Sequence, residues 1–178
     1  IRDLRMSRGL GDVYKRQCED IIGLYNPVAL DLRFTLAMMK TSNNLERIAD
    51  FCDGIARFVI DYPEVNIESE LFEKTGIKEM LDIVKAMMLQ AENALIEEKS
   101  SEAIAVFNKD NRVDELNHAA VPIIAEYLQQ FPERAIECLN LISIIRRLER
   151  IGDHCNNIAE EIVFYLDAKI LKHAGKRS

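Results

Sequence analysis

The chain has 178 residues, enough for one substantial core or two small helical bundles. Its 48% apolar and 30% charged residues exclude a disordered chain, and a net charge of −7 argues against a protein that grips nucleic acid through its phosphates. No apolar run approaches the roughly 20 residues that cross a bilayer, and no secretory leader pattern is visible.

Residues 1–17 read IRDLRMSRGLGDVYKRQ, with five basic and two acidic side chains. They show no clear helical period and are expected to break at Gly9 and Gly11. The stretch DVYKRQ resembles the translated end of a transposon adapter used in preparing sequencing libraries. On that reading residues 1–17 are non-native, and the native chain is N-terminally truncated and begins near Cys18. Residues 18–25 read as the last turns of a helix. Asn26-Pro27 is expected to end it and to open the next helix, with Asn26 as N-cap and Pro27 at the first helical position. From 28 to 61 the pattern is one long helix whose core stripe is Leu45, Ile48, Cys52, Ile55 and Val59. Tyr62-Pro63 ends it.

Residues 64–76 read as a polar crossing segment with a small apolar patch at Leu71 and Phe72. A helix over 77–98 follows, with Met80, Ile83, Val84, Met87, Ala91 and Leu95 as its stripe. After a turn at 99–101, a helix over 102–130 carries Val106, Val113, Ala120, Ile124 and Leu128, and Pro122 is expected to kink it or remove a hydrogen bond. Phe131-Pro132 breaks the chain before a last helix over 133–172, and the basic tail is expected to fray. Alternating strand patterns are absent, so the fold class is all-α. The domain reading is a non-native segment at 1–17, a partial first repeat at 18–62, a linker at 63–76, a complete three-helix repeat at 77–173 and a tail at 174–178.

The repeat itself is explicit. LERIADFCDGIA at 45–56 and LERIGDHCNNIA at 148–159 share eight of twelve positions at a constant offset of 103 residues. Each copy holds a Glu and an Asp four apart, Glu46/Asp50 and Glu149/Asp153, which a helix places on one face. On a helical wheel Asp50 lies about 40° from Glu46 and Asp53 about 20° to the other side, while the apolar stripe lies at about 180–240°. The acids are therefore expected to face away from the core. Asp110 and Asp114 form a further i, i+4 pair on the preceding helix, and facing carboxylate pairs can enclose a cation.

An acidic row is ordinarily a solvated helix face, and Arg47 and Arg150 stand next door as salt-bridge partners. Repetition of Glu, Arg and Asp in register is what favours a cation. The four cysteines form no CxxC pair and read as small buried hydrophobes in a reduced cytosol, Cys52 and Cys155 filling one slot of the two copies. Glu115-x-x-His118 fits half of a di-iron carboxylate signature, but no second copy exists. His154 is expected to point about 100° away from Asp153. No activated nucleophile, phosphate loop or HExxH is present.

The sequence PVALDLR at 27–33, followed by LERIADFCDGIA and later by LERIGDHCNNIAEE at 148–161, resembles the PhoU family over about residues 18–173. The resemblance implies tandem three-helix bundles, with the first bundle incomplete here. It implies a non-enzymatic cytoplasmic regulator, acting as a homodimer, that couples a phosphate ABC transporter to a sensor histidine kinase and damps phosphate-starvation signalling. It also implies divalent or trivalent metal ions, in iron or zinc clusters, held by Glu46/Asp50, Asp110/Asp114 and Glu149/Asp153. The site of the first copy is expected to be half built. Two alternatives are a PhoU-like regulatory domain of a sodium/phosphate cotransporter and a di-iron oxidoreductase.

Overall fold

The computed structural model describes the backbone of residues 2–62 and 67–174 and the side chains of 11–62 and 67–167. All elements among the described residues are helical: α1 (Arg2–Tyr25), α2 (Leu30–Asp61), α3 (Ser69–Lys74), α4 (Ile77–Ile96), α5 (Ser100–Gln130), a 3₁₀ turn (Pro132–Arg134) and α6 (Ala135–Ala174). The helix α6 is the centre of the packing. It lies against α2, α5 and α4, whereas α1 packs on α2. No helix among the described residues is long and apolar enough to cross a membrane.

Helices α4, α5 and α6 form a three-helix unit. Met80, Met87, Val106, Val113, Leu141, Cys155 and Ile162 fill its axis and are fully buried. These are the 3- and 4-spaced apolar positions of the three helices, and burying each large side chain stabilises the unit by about 1.5–3 kcal/mol. Pro122 is accommodated inside α5 without ending it. Lacking an N–H, it leaves the His118 carbonyl without its helical partner.

Several local expectations are corrected. The stretch at 2–17 is helical and α1 runs through Gly9 and Gly11. A helical Gly costs only about 1 kcal/mol relative to Ala, which packing against α2 outweighs. Asn26 is not an N-cap. Asn26 and Ala29 both have positive φ (46° and 52°), so Asn26-Pro27 belongs to the interhelical turn, and α2 starts at Leu30 with no side-chain cap. The crossing segment contains α3, whose Leu71 is 2% exposed, and the Thr75 that caps its C-terminus is buried. Residues 63–66 lie outside the described residues; of the expected tail at 174–178, Ala174 ends α6 and 175–178 lie outside them.

The largest correction concerns the stripe of α2. A shift of 103 residues sets Leu45 against Leu148, Cys52 against Cys155 and Val59 against Ile162. Leu148 and Ile162 are 3% and 0% exposed, but Leu45 and Val59 are 42% and 64% exposed, and Cys52 is exposed where Cys155 is buried. Of the five expected core residues only Ile48 is buried, with Ile55 half-buried. The physical reason is the neighbour: α4 covers that face of α6, and no described helix covers it on α2. A groove of about 670 Å³ lies beside Leu45, between α1, α2 and the C-terminal end of α4, lined by Tyr14, Cys18, Ile21, Met38, Leu45 and Leu95 among others.

Candidate functional site

The helices α2 and α6 cross antiparallel at the matched motifs. Lys40 reaches Glu161 at 2.7 Å, Asn44 Oδ1 contacts His154 Nδ1 at 2.8 Å, and the Phe51 and His154 rings lie 5.8 Å apart. The 103-residue shift exchanges Phe51 with His154, and it exchanges the Asn44/Asn157 contact with an Arg147/Gly54 contact. The contacts therefore obey an approximate two-fold whose axis passes between Phe51 and His154. His154 is engaged at the axis by Asn44 and Phe51. Its pKa is lowered by burial, with Arg47 and Arg150 adding and Asp153 opposing.

On the far side of α6 the acids come together. Asp110 and Asp114 of α5 face Glu149 and Asp153 of α6, and all four are half-buried at the seam between the helices rather than fully outward. Burial raises the pKa of Asp110, and Asp114 and Asp153 add to it, against a lowering hydrogen bond from Asn156. Burial likewise raises Glu149, with Asp153, Asp114 and Asp110 adding and Arg150 opposing. The amide of Asn156 donates to Asp110 Oδ2, and Asn156 Oδ1 is buried without a hydrogen-bond partner. The approach of the helices depends on Gly152. A Cβ there would stand 3.1 Å from Asp110 Oδ1 and 3.5 Å from Val113 Cγ1. Ala49, its counterpart, instead lines the groove beside α1.

The seam is an oxygen-rich, anionic strip: four half-buried carboxylates and one buried amide oxygen without a hydrogen-bond partner. That donor set suits a hard cation or a carboxylate-bound iron or zinc. Among the described residues no three His, Cys, Asp or Glu side chains already point at a single metal position. Arg150 bridges the acids, 3.8 Å from Glu149 and 3.5 Å from Asp153, the salt bridge expected of it.

The first copy is built differently. Glu46 pairs with Lys15 at 3.3 Å, and a Cβ on Gly11 would lie 3.3 Å from Glu46 Oε2. Where Glu149 meets acids of α5, Glu46 meets a glycine and an ammonium of α1. Asp53 pairs with Arg57 at 2.7 Å. The half di-iron signature does not assemble: Glu115 binds Arg112 at 3.0 Å, and His118 Nδ1 sits 2.8 Å from the Asp114 carbonyl of its own helix. Sequence reasoning missed Asn156 as a direct partner of Asp110. Its position in the slot of Asp53 was the available signal.

A family model described as PhoU domain matches residues 8–59 and 77–162. The phosphate-specific transport system accessory protein PhoU homolog 1 of Thermotoga maritima is 32% identical over 165 residues, 90% of this chain and 70% of that protein. The PhoU homolog of Caulobacter vibrioides is 32% identical over 157 residues, 88% of this chain and 67% of that protein. The crystal structure of PhoU from Pseudomonas aeruginosa superposes with a TM-score of 0.80 at 27% identity, covering 92% of this chain and 81% of that one. That from Streptococcus pneumoniae gives 0.78 at 25% identity, covering 93% and 76%. Duplicated LER motifs, an all-helical fold with matched crossing contacts and these similarities together place the chain in the PhoU family.

Proposed function

We propose that this chain is a non-catalytic regulator of phosphate uptake, an accessory to phosphate-specific transport as its relatives are named. In this reading it works in the cytoplasm between a phosphate ABC transporter and a sensor histidine kinase, and its acidic seam holds metal. The observation that carries the reading is the convergence of Asp110, Asp114, Glu149 and Asp153, with Asp110 and Glu149 both pushed up by burial and by the charges of Asp114 and Asp153. Like charges brought this close favour a bound cation. The metal-holding residues are these four, with Asn156 Oδ1 as a fifth oxygen. The bound ion would neutralise the seam and tie α5 to α6. Glu46 and Asp50 belong to a weaker site, because Lys15 already supplies a cation to Glu46.

The test is metal content by mass spectrometry after dialysis without chelator, for the wild type, Glu149→Ala/Asp153→Ala and Glu46→Ala/Asp50→Ala. The α6 pair is expected to lose most of the metal and the α2 pair little. Equal metal in all three removes these residues from the ligand set. The regulatory role is tested by expressing the chain in a phoU-deleted bacterium carrying a phosphate-starvation reporter. Repression at high phosphate supports the role, and constitutive reporter activity despite soluble expression contradicts it. The uncovered stripe of α2 supports a homodimer through that face, which light scattering across a concentration series would read.

A further inference from the structure

We propose that the cleft between the C-terminal third of α2 and the first turns of α6 is a binding site for a small tetrahedral oxyanion, anchored by Arg147. The cleft has a volume of about 230 Å³ and is walled by Gly54, Phe58 and Asp61 on one side and by Asn140, Ser143 and Arg147 on the other. Asn140, Ser143 and Arg147 follow the 3- and 4-residue spacing of one helix face, so an amide, a hydroxyl and a guanidinium are stacked along the same wall.

Arg147 is half-buried, and among the described residues it has no hydrogen bond or ion pair. Arg57, Arg112, Arg134 and Arg150 each hold a carboxylate. A guanidinium carries five donors in a fixed fork and meets oxyanions two bonds at a time. Its seat depends on Gly54: a Cβ there would stand 2.8 Å from the Arg147 Cζ and closer still to Nη1. The fork is thus held against the α2 backbone with its donors unspent.

The approximate two-fold supplies the independent argument. The 103-residue shift maps Ser143 onto Lys40, Phe58 onto Glu161 and Arg147 onto Asn44. On that side Lys40 and Glu161 close the cleft with a 2.7 Å ion pair, and Asn44 bonds His154 and Asn157. On the Arg147 side both partners of that ion pair are replaced, by Ser143 and Phe58, and a cation enters instead as Arg147 in the slot of Asn44. Asp53, one turn before, is committed to Arg57 at 2.7 Å, and Asp61 is exposed. An oxyanion from solution supplies the acceptor that Arg147 does not find among the described residues.

The experiment titrates the full chain with inorganic phosphate, and separately with sulfate, by calorimetry and by the NMR signal of the Arg147 Nε–H, in buffers of matched ionic strength. Saturable binding below about 10 mM is expected, a range in which weak single-site anion binding lies. Arg147→Gln should weaken binding at least tenfold, and Arg146→Gln, on the exposed neighbour, less than twofold. Ser143→Asp places a carboxylate beside the guanidinium. It should abolish phosphate binding while raising the melting temperature, which keeps the test decisive should Arg147→Gln fail to fold. Competition by sulfate marks the site as one for oxyanions in general, and its absence marks it as selective for phosphate. No saturable binding of either anion, or equal phosphate affinity in the wild type and Arg147→Gln, overturns the proposal. Neither result bears on the acidic seam, which lies on the opposite flank of α6 and is read by metal content.

Discussion

Replacing Gly152 by Ala sets two opposed terms against each other at the acidic seam. Helix propensity favours Ala by about 1 kcal/mol. The added methyl would sit 3.1 Å from Asp110 Oδ1, 3.5 Å from Val113 Cγ1 and 3.8 Å from Met87 Cε, so Asp110 must retreat by some tenths of an ångström or α5 must shift. Overpacking of this kind costs about 1–3 kcal/mol. The net expectation is a loss of 0 to about 2 kcal/mol, which for a chain of this length is a fall in Tm of up to about 8 °C. Gly23 provides the reference, because nothing lies within 4 Å of a Cβ built there. Gly23→Ala should show the propensity term alone, a gain of up to about 1 kcal/mol, lessened by its place near the end of α1. Urea unfolding of both variants reads the difference, and the carbon-13 shift of the Asp110 carboxyl reads the local displacement. A Gly152→Ala protein stabilised as much as Gly23→Ala, with the Asp110 signal unmoved, would refute the close approach of α5 and α6 on which the seam rests.

The two stripes give a matched comparison: Ile162→Ala should cost about 2–5 kcal/mol and Val59→Ala no more than about 0.5, measured by urea unfolding of the single chain. Similar losses would mean that the α2 stripe is covered in solution. Asp110 and Glu149 have folded pKa values above their ordinary ones, so the folded state holds their protons more tightly than the unfolded state does. Their contribution is unfavourable above the folded pKa and is relieved as pH falls through it, levelling off below the unfolded value. In metal-free protein, wild type should therefore gain stability relative to Asp110→Asn/Glu149→Gln on acidification from pH 7, read as the difference in Tm; a difference that shrinks or stays flat would contradict the seam's electrostatics. Of the four free cysteines only Cys52 is exposed, so one equivalent of thiol should react rapidly with a disulfide reagent in the native state. Two or more fast equivalents would show that α6 or α1 is not packed as described.

The long helices α2, α4, α5 and α6, the apolar spacing of the last three and the duplication were legible in the chain, because helical periodicity and a 103-residue repeat are local or self-referential signals; the helix through Gly9 and Gly11 and the short α3 were not. The sequence could not say which of two near-identical stripes is buried. Leu45 and Leu148 sit in the same words and differ only in whether α4 lies across them, and burial is a property of the neighbour. The same holds for charge. Glu46 and Glu149 occupy equivalent slots, yet one faces an ammonium of α1 and the other faces carboxylates of α5. Arg147 was silent in the sequence, since an arginine is ordinary until its surroundings withhold every acceptor. Residue type and spacing set what each helix can present, whereas partner, solvent access and local field come only from the helix packed against it.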